Sequence, residues 1–205
     1  MPKTFNILFI AIALTVGIFN PVVAQVENGK AAPEFTLKDS NGNDVALFRH
    51  QGKFVVLEWL NYDCPFVNKH YNSGNMQSLQ KAYTGKGVIW LSIISSAPEQ
   101  QGYYEPADVN RLNAEKKASP TAILLDPAGQ AGKLYGAQTT PHMFVIDPEG
   151  ILVYQGAIDD IRSTNPDDVA RARNYVSAAL DEAMAGKPVS VPSTKSYGCS
   201  VKYQQ

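Results

Sequence analysis

Two cysteines, Cys64 and Cys199, carry the most reactive chemistry in this 205-residue chain. Cys64 lies in residues 53–70, KFVVLEWLNYDCPFVNKH. Residues 54–60 are almost all apolar or aromatic, which predicts a strand buried on both faces of a sheet. Asn61, Tyr62 and Asp63 break the run, and Pro65 suits the first position of a helix. Cys64 therefore falls where a buried strand ends and a helix begins. The free N–H groups and the dipole of that helix favour a thiolate, the nucleophilic form of cysteine. A buried, inert cysteine is the alternative; the strand–Cys–Pro placement favours the reactive one.

The elements that must position this cysteine follow from pattern. Residues 35–38 and 45–48 flank the turn signal Asn41-Gly42-Asn43 and predict an N-terminal hairpin. After the strand at 54–60, the helix from Pro65 is interrupted at Asn72-Ser73-Gly74 and restarts with Met76, Leu79, Ala82 and Tyr83 on one face. Residues 88–94 form a second buried strand, 106–117 a helix, 122–125 a third strand and 128–135 a short helix. Residues 142–146 and 151–154 form a hairpin about the turn Asp147-Pro148-Glu149-Gly150. A last helix is predicted from Asn165, with Asp167 and Asp168 in its first turn and a stripe of Val169, Ala172, Val176, Ala179, Leu180 and Ala183. Strands alternating with helices imply an α/β domain, a central mixed sheet flanked by helices. Residues 187–205 form a tail rich in Ser, Thr and Pro that carries Cys199.

Length suits one domain with a sizeable core. The formal net charge is −1 and no basic run stands out, so nothing points to nucleic acid. Residues 1–24 have a positive start at Lys3, a short apolar run and Val22-Val23-Ala24 before a cut. This is the pattern of a secretory signal peptide cleaved after Ala24, leaving no membrane anchor and placing the protein in the periplasm or outside the cell. Two cysteines in an oxidising compartment suit one redox pair or one structural staple.

Two patches resemble the thioredoxin superfamily, especially its redoxin and peroxiredoxin-like (AhpC/TSA-type) branch. FVVLEWLNYDCPFV resembles the strand, active-site turn and helix of that family, with Cys64 in the attacking position and Glu58 in place of the buried acid. YGAQTTPHMFVIDPEG, residues 135–150, resembles its second signature, with Pro141 in place of the cis-proline that faces the cysteine. The resemblance covers residues 30–186 and implies a thioredoxin-like fold. The closing GCSVKY resembles exported redoxin-domain proteins with a second, terminal cysteine. Three departures count. The position of the second cysteine of a CxxC pair holds Val67. The Pro and Thr that precede a peroxidatic cysteine are Leu57 and Asn61. The peroxiredoxin arginine is replaced by Pro141.

Without a CxxC pair, the only thiol that can resolve a mixed disulfide at Cys64 is Cys199, brought up by a flexible tail. The expected activity is thiol-disulfide exchange, with Cys64 attacking, Cys199 resolving and an external thiol reductant restoring both. Glu58, with a pKa raised by burial, is the expected proton acceptor for resolution. Thr140 and Pro141 would present backbone to an extended substrate; Pro65 and Trp59 complete the expected substrate-contacting set, Trp59 and Tyr62 being also core and rim. The expected partners are protein or small-molecule disulfides and thiols, with no cofactor. Three alternatives stand: a thiol peroxidase using Cys64, a Cys64–Cys199 staple closing a long loop at a gain of about 4–5 kcal/mol, and a copper carrier in which Cys64, His70 and His142 meet. Asp159-Asp160 is expected to be a loop pair or helix lead-in.

Overall fold

The computed structural model describes residues 26–204; the leader expected over residues 1–24 lies outside the described residues. The elements are β1 (Thr36–Asp39), β2 (Asp44–Ala46), β3 (Val55–Trp59), α1 (Pro65–Asn72), α2 (Asn75–Thr84), β4 (Ile89–Ile94), α3 (Pro106–Glu115), β5 (Ala122–Leu125), α4 (Gln130–Leu134), β6 (Thr139–Thr140), β7 (His142–Ile146), β8 (Leu152–Gly156), α5 (Tyr175–Met184) and β9 (Cys199–Ser200). Seven strands form one sheet in the order β2-β1-β5-β4-β3-β7-β8. β3, β4 and β5 run parallel, while β7 and β8 return antiparallel beside β3. This is the thioredoxin-like α/β fold, a mixed sheet with helices on its faces. The N-terminal hairpin joins the sheet through β1, which pairs antiparallel with β5. Among the described residues, no helix is long and apolar enough to cross a membrane.

β3 is the central strand and is buried along its whole length. Its side chains alternate between two cores, as strand geometry requires. Val56 and Leu60 enter the layer made with α1, α2 and α5, where Val67, Tyr71, Met76, Val176 and Leu180 pack. Val55, Leu57 and Trp59 enter the opposite layer with Phe35, Tyr135 and Phe144. Each fully buried Val, Leu or Phe stabilises the fold by about 1.5–3 kcal/mol, so a one-residue slip of β3 would reverse both layers and is strongly disfavoured.

Two predicted elements are shorter than their patterns suggest. β2 stops at Ala46, and Leu47–His50 form a 3-10 turn instead of continuing the strand. The last helix is divided. Asn165 and Pro166 open a 3-10 turn, Pro166–Arg171, and the chain leaves it extended at Ala172. Asn174 then caps α5, its side chain accepting the Ser177 N–H at 2.9 Å. Contacts from outside impose the break: the Asp160 carboxylate accepts the Arg173 N–H at 2.9 Å, and the Tyr175 N–H bonds the Ile158 carbonyl. Of the expected apolar stripe only Val176, Ala179 and Leu180 are buried.

The tail departs most from expectation. It is a strap bonded along its length and not a flexible arm. The Thr194 N–H bonds the Gln155 carbonyl of β8, the Gln155 N–H bonds the Pro192 carbonyl, and the Thr194 hydroxyl lies 2.7 Å from that of Tyr154. Cys199–Ser200 form β9, paired antiparallel with β6. Beyond it, the Val201 N–H bonds Gln138 and the Tyr203 hydroxyl donates to the Ala137 carbonyl at 2.7 Å.

Candidate functional site

The loop between β3 and α1 is built by Asn61. Its side-chain oxygen accepts the Asp63 N–H at 2.9 Å, and its carbonyl accepts the Cys64 N–H at 3.1 Å. This turn ends the strand with a side chain competing for the backbone. Gly102 seals the turn from outside; a Cβ there would lie 2.4 Å from the Asn61 side chain. Cys64 occupies the N-cap of α1 in an extended conformation, with Pro65 at the first helical position.

Cys64 is completely buried. Its Sγ lies 2.8 Å from Cys199 Sγ and donates to the Thr140 carbonyl at 3.0 Å. Both thiols are free, and the separation compares with about 2.05 Å in a formed disulfide. Burial opposes a thiolate at Cys64. The contacts with Cys199 and Thr140 and the backbone N–H groups of Val67 and Cys199 outweigh it and hold the Cys64 pKa below its ordinary value. The Val67 N–H belongs to the first turn of α1, so helix-start stabilisation operates here. Cys199 is pushed the other way, first by burial and then by its bond to Cys64 and the nearby thiolate charge. These opposed shifts make Cys64 the more acidic thiol of the pair.

The Thr140–Pro141 peptide is cis and faces this pair. Thr140 pairs with Cys199 across β6 and β9. The backbone expected to receive an extended substrate thus already carries a strand, the chain's own Gly198-Cys199-Ser200. Gly198 is required there: its φ is +140, and a Cβ would lie 2.0 Å from the Thr140 carbonyl oxygen.

The other expected residues scatter. Trp59, expected to contact substrate, is wholly buried on the opposite face of the sheet. Its Nε1 donates to Ser95 Oγ at 3.0 Å, and its ring packs on Tyr135 and Phe144, so it has no surface to offer. Tyr62, expected at the rim, is buried edge-on between Tyr71 and Tyr104. Glu58 is also fully buried. Its Oε2 accepts from Trp90 Nε1 and Ser92 Oγ at 2.8 Å and from Gln80 Nε2 at 3.3 Å, and its Oε1 accepts from the Tyr71 hydroxyl at 2.8 Å. Burial raises its pKa against these four donors. Among the described residues no hydrogen bond joins it to either sulfur, so the carboxyl ties α1 and α2 to β3 and β4.

Cys64, His70 and His142 do not converge. The His142 ring is stacked 4.5 Å from Phe144, on the face away from Cys64, and its Nδ1 accepts the Gln138 N–H. His70 faces Asn75 and Tyr197. Burial pushes both imidazoles down to about 4. Among the described residues no group of three His, Cys, Asp or Glu side chains is arranged to hold a metal.

Asp159 is not a simple loop residue. It lies in a buried network with Lys69, His70 and Tyr197 that sequence reasoning missed. Lysine midway along an amphipathic helix looks like a solvated residue, and nothing in the pattern distinguishes this one.

The chain's similarities agree with this geometry. It is 26% identical to the thiol-disulfide oxidoreductase ResA of Bacillus subtilis over 74% of this chain and 80% of that protein. It is 30% identical to a probable phospholipid hydroperoxide glutathione peroxidase of Solanum lycopersicum over 91 residues, 44% of this chain. The chain spans about half the length of that relative, 51%. The structure of an uncharacterized conserved protein from Geobacillus kaustophilus superposes with a TM-score of 0.74 at 29% identity, over 88% of this chain and 94% of the other. The family model of AhpC/TSA proteins matches residues 28–155, which takes in β3, the Cys64 turn and the cis-proline, and by that match the chain belongs to the AhpC/TSA family.

Proposed function

We propose that the protein is an exported thiol-disulfide oxidoreductase whose working unit is the Cys64–Cys199 pair. The observation that carries the reading is the 2.8 Å approach of two free sulfurs with opposed proton affinities. The Cys64 thiolate attacks one sulfur of a substrate disulfide, and the other leaves as a thiolate. Cys199, giving up its proton, attacks Cys64 in the mixed disulfide and releases the second substrate thiol. Two electrons have then passed from the cysteine pair to the substrate. An external dithiol reverses the step and restores both thiols. The substrates are protein or small-molecule disulfides, and export rests on the apolar leader. The similarity to ResA supports exchange as the reaction class.

Mass spectrometry without reductant tests this. Oxidised glutathione should convert the protein to a form lighter by two hydrogens, with Cys64 and Cys199 in one cross-linked peptide pair, and a dithiol should restore the original mass. Two sulfurs that stay free through this treatment would sink the reading.

The similarity to glutathione peroxidases supports a second reading, a thiol peroxidase using Cys64. The protein should nevertheless react slowly with hydrogen peroxide, because Cys64 is buried beneath its partner and Leu57, Asn61 and Pro141 replace the peroxiredoxin Pro, Thr and Arg. Stopped-flow measurement of Trp59 fluorescence checks this. A rate far above that of a free thiolate would make the peroxidase reading the better one.

A further inference from the structure

The network beneath the tail points to a residue that sets the geometry of the cysteine pair. Lys69 lies on α1, five residues after Cys64, and its side chain is wholly buried. Its Nζ donates to Asp159 Oδ2 at 2.8 Å, to the Ile161 carbonyl at 2.7 Å and to the Tyr197 hydroxyl at 3.4 Å. The Tyr197 hydroxyl in turn donates to Asp159 Oδ1. His70 Nε2 lies 3.4 Å from the same hydroxyl, while its Nδ1 faces the Asn75 side-chain amide at 2.9 Å. These partners assign the Nε2–H tautomer, so the tyrosine oxygen accepts from both Lys69 and His70. Its ring packs 5.8 Å from that of Phe66, and Lys69 Nζ stands 5.6 Å from the ring centroid.

Burying an ion pair costs much of what the pair gains, so such a pair is poor evidence of stabilisation. What this one supplies is location. Cys64 and Lys69 belong to the same short helix. Tyr197 is two residues from Cys199. A bond from α1 to Tyr197 therefore fixes one end of the Cys199 strand in the frame that presents Cys64. Pairing of β9 with β6 fixes the other end.

We propose that Lys69 and Asp159 clamp the Tyr197 hydroxyl and that Tyr197 is thereby a positioning residue, holding Cys199 in reach of Cys64. The proposal rests on the exchange reading. The equilibrium between the cysteine pair and glutathione measures the effective concentration of one thiol at the other, which depends on how often the tail is seated.

The test is a glutathione redox titration of the full chain. Tyr197→Phe keeps the ring and removes only the clamped hydroxyl, and the effective concentration should fall about tenfold, the worth of one buried hydrogen bond to a charged group. Tyr83→Phe is the control. Its hydroxyl donates to Asp181 at 3.0 Å and lies 3.2 Å from the Ser177 carbonyl, outside the Lys69–Asp159 network, and its loss should leave the thiol equilibrium within about twofold. A second variant leaves the clamp whole and uncouples it: two glycines inserted between Tyr197 and Gly198 should lower the effective concentration at least as much. An unchanged equilibrium in either Tyr197→Phe or the insertion variant overturns the clamp. An unmodified chain that never forms the Cys64–Cys199 disulfide overturns the exchange reading, a different result from a disulfide that forms but ignores Tyr197.

Discussion

Gly198→Ala should unseat the tail and raise the rate at which Cys64 is alkylated by about ten- to a hundredfold. Cys64 is completely buried in the dithiol state, so a reagent reaches it only when the strap lifts. Gly198 sits at φ +140 with the space for a Cβ already filled by the Thr140 carbonyl oxygen, 2.0 Å away. A methyl group there adds both backbone strain and a clash, of order 1–3 kcal/mol, and each 1.4 kcal/mol shifts the open fraction about tenfold. Alkylation followed by mass spectrometry of the Cys64 peptide reads the open fraction directly. Cys199→Ser behaves differently because the serine leaves the strap seated. Its Cys64 should react slowly with a small disulfide and then hold the mixed disulfide, since Val67 offers no second thiol. Cys64→Ser should abolish exchange. Gly198→Ala alkylated no faster than the unmodified chain would mean that something other than the tail covers Cys64.

This covering strand marks where the sequence was readable and where it was not. The strand at 54–60, the helix start at Pro65 and the hairpin about Asp147–Gly150 depend on local pattern, and each lies where its apolar period and turn residues put it. The cysteine at the start of α1 was legible for the same reason. The tail was not, because its order comes from partners forty or more residues away in the chain. Thr194 meets Tyr154, Cys199 meets Thr140, and Tyr203 meets Ala137. A segment rich in Ser, Thr and Pro has no period of its own, so only tertiary contacts define it.

The same limit explains Lys69 and Asp159. Each has a residue type usually solvated, and only their meeting across 90 residues makes burial tolerable. Trp59 illustrates the opposite error. The substrate contact expected of it fails because period-two alternation in β3 sends Trp59 to the far face, where it is the core residue it was also expected to be. The divided last helix has a similar cause, since the Asp160 carboxylate captures the Arg173 N–H and the cap signal at Asn174 outweighs the continuing apolar stripe.

Glu58 should govern how stability varies with pH from acid toward neutrality. Its carboxyl has an ordinary pKa near 4.5, and burial raises it in the folded protein despite four hydrogen-bond donors. The folded state therefore holds the proton more tightly than the unfolded chain. Its contribution is fully present below about 4.5 and is lost as pH rises through the folded value. Glu58→Gln cannot titrate, so it should flatten this part of the profile. The amide can keep its oxygen toward Trp90, Ser92 and Gln80 and donate its N–H to Tyr71, whose hydroxyl need only turn. Glu58→Leu has no such rescue. It leaves the Trp90, Ser92, Gln80 and Tyr71 donors buried without their acceptor, at about 1–3 kcal/mol for each group left unsatisfied. That loss is a large share of the stability of a domain of this size. Urea denaturation of the three proteins between pH 4 and 8 separates the effects. The difference in unfolding free energy between the unmodified chain and Glu58→Gln should shift against the unmodified chain as pH rises, and Glu58→Leu should be strongly destabilised throughout. A difference that stays constant across the range would mean that the carboxyl has the same pKa folded and unfolded, and that burial does not raise it.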